Sequence, residues 1–297
     1  MIFNPADPKE VSRAIGSTAG LPLHIRRALT PGEDFSPIPV PHPGDWLSVH
    51  QEPEETFPQF AASNPRKPDS KRHRIYLTPL GEFPEGSGPS LDMLRDCAAS
   101  HFMMDVVLKP ALEPDRLRFT TRINPVTRNF QVLSLDVLVY LRQHMPSDAF
   151  CSLAITREDL YPEEVWNFVF GQASLKTGVG VFSFARYDPA FYGHVRRDGA
   201  GHLFNERCCK VLIHETAHLF SLGHCTFFHC IMNGSNHLAE SDARPMHLCP
   251  VCLRKLHYCI GFDIMEYYQR IFHFSRTYDF KREAQWVNRR LEYILGV

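Results

Sequence analysis

The sequence predicts a fold of the α/β class, a mixed and twisted sheet with one histidine-bearing helix and a cysteine-rich segment after it. Three observations predict it: strand and helix signals alternate from Arg74 onward, two β-rich runs are separated by two residues, and helical apolar stripes close the chain. "RIYLTPL" (Arg74 to Leu80) suits a strand, "SLDMLRDCAASH" (Ser90 to His101) a serine-capped helix, and "FMMDVVL" (Phe102 to Leu108) a second strand. A helix over about Leu133 to His144 then precedes a strand at Phe150 to Thr156. "FVFGQASL" (Phe168 to Leu175) and "GVGVFSFARY" (Gly178 to Tyr187), joined by "KT", predict a hairpin, so the sheet has at least one antiparallel member. Helices are expected over about Asn205 to Leu222, Leu253 to Ile271 and Lys281 to Leu295, the last with Val287, Leu291, Ile294 and Leu295 on one stripe.

Ahead of these lies a different kind of sequence. Fifteen of the 23 prolines fall in the first 89 residues, and "SPIPVPHPGD" and "SNPRKPDSKRHR" sustain neither helix nor central strand. Residues 1–72 are therefore expected to be a Pro-rich N-terminal extension, and residues 73–297 a single domain; the aromatics favour partial docking of the extension through Trp46, Leu47, Phe57 and Phe60 over a loose segment.

The balance of 32 basic and 33 acidic residues gives no electrostatic footprint for nucleic acid or an anionic membrane, so neither is expected as a partner. No export signal or run of about 18 apolar residues is evident. An odd nine cysteines fit a reducing compartment better than a disulfide framework, so a cytoplasmic location is expected, with the nucleus as the other compartment open to it.

The chemistry concentrates in "HETAHLFSLGHC". At about 100° per residue His214 and His218 lie one turn apart on one face of a helix, where two imidazoles can grip one ion. Lys210, Glu215 and Ser221 share their polar strip, and Leu212, Ile213, Leu219 and Phe220 fill much of the remainder. His224 would point about 280° round the wheel from His214, so it joins the pair only if the chain leaves the helix and folds back near Gly223. Three neutral imidazoles leave a zinc ion one position for water, the layout of a catalytic site, and Glu215 is placed to take a proton from that water. A stack of core histidines is the competing account; the third histidine speaks against it.

Cys225, Cys230, Cys249 and Cys252 form two pairs able to close a tetrahedral zinc site, the second pair in the tight turn "CPVC". Four buried free thiols are the alternative. Two zinc ions per chain are thus expected, one catalytic and one structural. The other five cysteines read as packed residues, and His229, His237, His247 and His257 as surface or supporting groups.

"HETAHLFSLGHCTFFHCIM", running on to "LCPVC", resembles the archaemetzincins, metzincin-clan zinc proteases with the motif HExxHxxGxxHC, a second cysteine, a methionine and a CxxC pair. "ITREDLYPEEVWNFVFGQAS" and "GVGVFSFARYDP" look like the longer eukaryotic members, and the resemblance covers about residues 74–297. It implies a metzincin-like zinc protease fold, a zinc metallopeptidase acting on peptide or protein substrates, His214, His218 and His224 as ligands, Glu215 as general base, and Met232 beneath the zinc. It also implies that the edge strand, read at Phe168 to Leu175, pairs with an extended peptide. Ser221 departs from the motif glycine: if that position needs positive φ, serine there costs on the order of 1 kcal/mol unless Gly223 takes over the bend. That departure motivates the alternative of a zinc-stabilised binding protein with little turnover.

Overall fold

The computed structural model describes residues 3–86, 88–195 and 199–297. The first two residues of the expected extension lie outside the described residues. The chain forms two units, Met1–Lys67 with Phe220–Val297, and Pro68–Leu219.

In the first unit the N-terminal part carries four short helices, α1 (Pro8–Ile15), α2 (Leu23–Ala28), α3 (Trp46–Val49) and α4 (Phe57–Ala62). Two of them use the prolines that break longer helices. Pro8 follows the N-cap Asp7, and Pro58 lies in the first turn after Thr56; each start is closed by a reciprocal capping box, with Glu10 and Gln59.

The second unit is built on a five-stranded sheet. Its strands are β1 (Arg74–Leu80), β2 (Asp105–Leu108), β5 (Ala149–Thr156), β7 (Gly171–Ser174) and β8 (Val179–Ser183), in the order β2-β1-β5-β8-β7. The first four in that order pair in parallel, and β7 runs antiparallel to β8 at the edge. The mixed sheet expected from the sequence is present, with β1 and β5 close to their expected bounds and β2, β7 and β8 shorter. Helix α5 (Leu91–Phe102) runs through what reads as the start of β2, because left-handed Met103, φ 52°, ends it there. Strand β8 stops where Ser183 Oγ bonds Glu158 O at 2.6 Å and accepts from Ala185 N at 3.1 Å, turning the chain.

Burial follows from strand alternation. Leu80, Ala154, Val179 and Val181 form one face with Val137, Leu138 and Leu141 of α7 (Ser134–Gln143). The alternate set, Ile75, Leu77, Leu153, Ile155 and Phe182, is as completely buried, and α8 (Ala200–His218) packs against β8 and α5. Burial on both faces is what a parallel sheet requires.

A second, three-stranded sheet has no counterpart in the sequence reading. Strands β3 (Thr121–Ile123) and β4 (Phe130–Leu133) pair antiparallel, and β4 pairs in parallel with β6 (Asp159–Tyr161). Three or four residues are too few to show a period. What orders this region is a buried fork: Arg186 Nε and Nη2 donate to Asp159 Oδ1 and Oδ2 at 2.9 and 2.8 Å, and Gln131 Nε2 donates to Asp159 Oδ2 at 2.8 Å.

The C-terminal part of the first unit carries α9 (Leu238–Ala243), α10 (Pro250–Ile260), α11 (Ile264–Thr277) and α12 (Lys281–Leu295). The single helix expected over 253–271 is interrupted, since Gly261 at φ 76° caps α10 and Asp263 accepts from Glu266 N to start α11. Fully buried Arg290 reaches from α12 to the carbonyls of Arg27, Ala28 and Thr30 and to Asp34, holding the end of α2. Phe60 is fully buried, and Phe57 lies 5.6 Å edge-on from Tyr258. Among the described residues no helix is long and apolar enough to cross a membrane.

Removing one partner of the Arg186–Asp159 fork leaves a buried charge without its counter-ion. Asp159→Ala should lower stability by about 3–5 kcal/mol, read as a fall in the urea midpoint, with Asp159→Asn losing less.

Candidate metal centre

Helix α8 begins after Gly199 and ends at His218, four residues short of the end read from sequence. It places His214 Nε2 and His218 Nε2 3.1 Å apart with their rings perpendicular. Two nitrogens of a tetrahedral zinc, each about 2.0–2.1 Å from the ion, are separated by about 3.4 Å, so the pair fits one ion. His214 is buried, whereas His218 and Glu215 are half-buried. The polar strip is less open than the wheel suggests, for Lys210 is buried and its Nζ lies 2.7 Å from Glu206 Oε1.

Past Leu219 the chain enters the other unit. Ser221 there has φ 69°, while Gly223 is not among the glycines with positive φ. The bend therefore rests on Ser221, and the expectation that Gly223 relieves it is corrected. A hydrogen bond offsets the strain: Ser221 Oγ accepts from Arg66 N at 3.1 Å.

Cys225, Cys230, Cys249 and Cys252 are all buried, with their Sγ atoms within 4.8 Å of one another. Cys225 Sγ and Cys249 Sγ are 3.5 Å apart, near the edge of about 3.8 Å that a tetrahedron of thiolates with Zn–S about 2.3 Å would have. Cys230 Sγ accepts from Cys249 N at 3.2 Å and from Met232 N at 3.5 Å, bonds that suit a thiolate. Hydrogen bonds from Cys230, Cys249 and Cys252 hold the Cys225 thiol well below the usual range. Burial pushes Cys249 up, and the bond to Cys225 does the same to Cys252. Four sulfurs this close cannot all ionise without a dication among them, so the donor set fits zinc. Cys259 behaves differently: burial pushes its thiol up to about 12, as for an inert packed cysteine.

Sequence reasoning misses two groups around this cluster, Asn233 and Glu52, and takes a third, Trp46, only as a docking residue. Asn233 donates to Cys225 O at 2.7 Å and Phe228 O at 2.9 Å and accepts from Cys230 N at 2.7 Å, tying the loop into a knot. Glu52 Oε1 lies 2.7 Å from His224 Nδ1, and Trp46 Nε1 donates to the same oxygen at 2.6 Å. Neither of the latter has a local signal, since Glu52 stands 172 residues from His224 in an acidic run. Met232 is fully buried and its carbonyl accepts from Cys225 N at 2.8 Å. His247, which the sequence reading left as a supporting group, stacks on Trp286 and bonds Glu283.

A model of peptidase family M54 matches residues 121–258. Archaemetzincin-2 of Macaca fascicularis is 38% identical over 293 residues, an alignment spanning 89% of this chain and 81% of that protein. The chain belongs to the archaemetzincins. The human archaemetzincin-2 is 37% identical over the same shares to within a percent. The crystal structure of an archaemetzincin from Methanopyrus kandleri is 27% identical, covering 64% of this chain and 97% of that one with a TM-score of 0.47. As a member of this family the chain is a zinc metallopeptidase, a hydrolase of peptide or protein substrates.

In this archaemetzincin two terms of about 1 kcal/mol oppose each other at Ser221, the left-handed backbone and the bond from Arg66. Ser221→Gly removes both and should shift stability by less than about 1 kcal/mol. Ser221→Ala keeps the strain and loses the bond, so its stability, read from the urea midpoint, should fall about 1 kcal/mol below both.

Proposed function

We propose that His214, His218 and His224 hold one zinc ion at which peptide bonds are hydrolysed, and that the four cysteines hold a second, structural zinc. The observation that carries the reading is the convergence of His214 and His218 Nε2 on a half-buried helical face with Glu215 beside them. His224 follows His218 by six residues in the family motif, and its Nδ1 is engaged by Glu52, which directs ligation to Nε2.

Bound zinc would supply a polarised carbonyl and a water of pKa lowered towards ~7. Glu215 takes the proton from the attacking water and passes it to the departing amine, so one carboxylate serves as base and then as acid. Substrate alignment is assigned to β7. As the antiparallel edge of the sheet it offers one row of backbone donors and acceptors to an extended peptide. Family membership and the intact HExxH favour turnover over the alternative of a binding protein that retains zinc alone.

Zinc counted by elemental analysis alongside peptide hydrolysis tests this. The parent should carry two ions, His218→Ala and Cys249→Ser one each, and Glu215→Ala two with hydrolysis reduced about 10²–10⁴-fold. A single ion that only Cys249→Ser removes would refute the histidine site.

A further inference from the structure

We propose that Glu52, held by Trp46, is the positioning residue of the third histidine: a carboxylate from the N-terminal segment that fixes the tautomer and ring plane of His224. This rests on the reading of His224 as a zinc ligand. A carboxylate only accepts, so at 2.7 Å from Glu52 Oε1 the proton of the neutral ring sits on His224 Nδ1 and the lone pair on Nε2. Without such a partner the two tautomers interchange and the ring turns about its bond to Cβ. With one, the nitrogen that would bind the ion is set before the ion arrives.

Glu52 is itself held. Trp46 Nε1 donates to the same oxygen at 2.6 Å, and the Trp46 ring lies edge-on to His224 at 5.0 Å and stacks on His50 at 3.9 Å. The backbone of Trp46 is anchored in turn, its N donating to Glu240 Oε1 at 2.9 Å, while Glu240 Oε2 accepts from Asn236 N at 2.7 Å. Gly234 completes the seat, since a Cβ there would stand 2.4 Å from Trp46 Cδ1. A bare backbone two residues after Met232 is thus the space into which the indole fits. Asp45, His237 and Glu240 also cluster here, yet His237 Nε2 bonds Asp45 Oδ1 at 3.0 Å and its Nδ1 accepts from Glu240 N at 3.2 Å. Both ring nitrogens of His237 are so engaged, and the cluster serves as the buttress under Trp46.

The arrangement makes the segment before β1 part of the metal centre. It also gives a reason for a tryptophan six residues before a glutamate in a Pro-rich stretch, since Trp46 bonds Glu52 and Glu52 bonds His224.

The test uses the full chain loaded with zinc and follows metal transfer to a chromophoric chelator. Glu52→Ala should weaken the histidine-bound zinc about 10–100-fold while the cysteine-bound zinc and the urea midpoint stay as in the parent. Glu52→Gln keeps an acceptor of the same shape without the charge and should fall between, and it carries the test if the alanine variant loosens the fold. Gly234→Ala, which displaces Trp46, should weaken the same zinc. With cobalt in place of zinc, the visible absorption of the histidine site should change in Glu52→Gln and that of the thiolate site should not. Parent-like zinc transfer in Glu52→Gln, with one ion lost from His218→Ala, overturns this inference alone. Two ions retained in His218→Ala overturn the ligand reading and this inference with it.

Discussion

Four thiols confined within 4.8 Å in a buried pocket are the constraint on which the first unit depends. Apolar packing gives no reason to gather them, and like charge gives a reason to keep them apart; a bound dication reverses the sign of that repulsion. Once the sulfurs are fixed, Cys225 is fixed, and His224 is its neighbour in the chain. Asn233 extends the same constraint to the backbone by bridging Cys225, Phe228 and Cys230 with one side chain. Loop residues 225–252 thereby acquire a defined course with little regular secondary structure of their own.

The two histidines on α8 obey a different logic. Their 3.1 Å approach is a property of helical spacing and of a helix held by α5 and β8. No sulfur enters into it. Secondary structure therefore brings His214 and His218 together, whereas the course of the segment bearing His224 depends on loop closure, and the chain passes from one unit to the other immediately after His218 and Leu219. Ser221, φ 69°, stands at that passage, where the family motif has glycine. The hydroxyl that accepts from Arg66 N gives serine a compensation that glycine lacks.

What could be read beforehand sorts by the range of the signal. β1, α5, α7, β5 and α12 carry their patterns within seven to fifteen residues and lie close to where the sequence places them. The four-cysteine group was legible because its chemistry is specific to thiol pairs, whatever the fold between them. β3, β4 and β6 were not, being too short for a period and ordered by Asp159, Arg186 and Gln131, which come together only in three dimensions. The break at Gly261 and Asp263 is written in the sequence as a C-cap and an N-cap, between two segments that each read as helix, which is why one helix is expected there. Glu52 is the extreme case, a residue whose partner is 172 positions away.

Magnitudes rank the parts of the centre. A structural zinc contributes on the order of 10 kcal/mol of apparent binding free energy to folding, so on the proposed two-zinc reading the cysteine cluster would decide whether the segment bearing His224 has a fixed conformation at all. A carboxylate behind a ligand histidine changes metal affinity about 10–100-fold, roughly 1.4–2.7 kcal/mol, so in the proposed role Glu52 would set how tightly the histidine site holds its ion. The first term is large enough to dominate folding and too large to adjust by small changes. The second is of the size that single substitutions in a surface segment can tune. In this chain that smaller term would come from the Pro-rich N-terminal part, which Arg290, Arg254 and Lys255 tie to the C-terminal helices through the carbonyls of Ala28, Ser17 and Glu55.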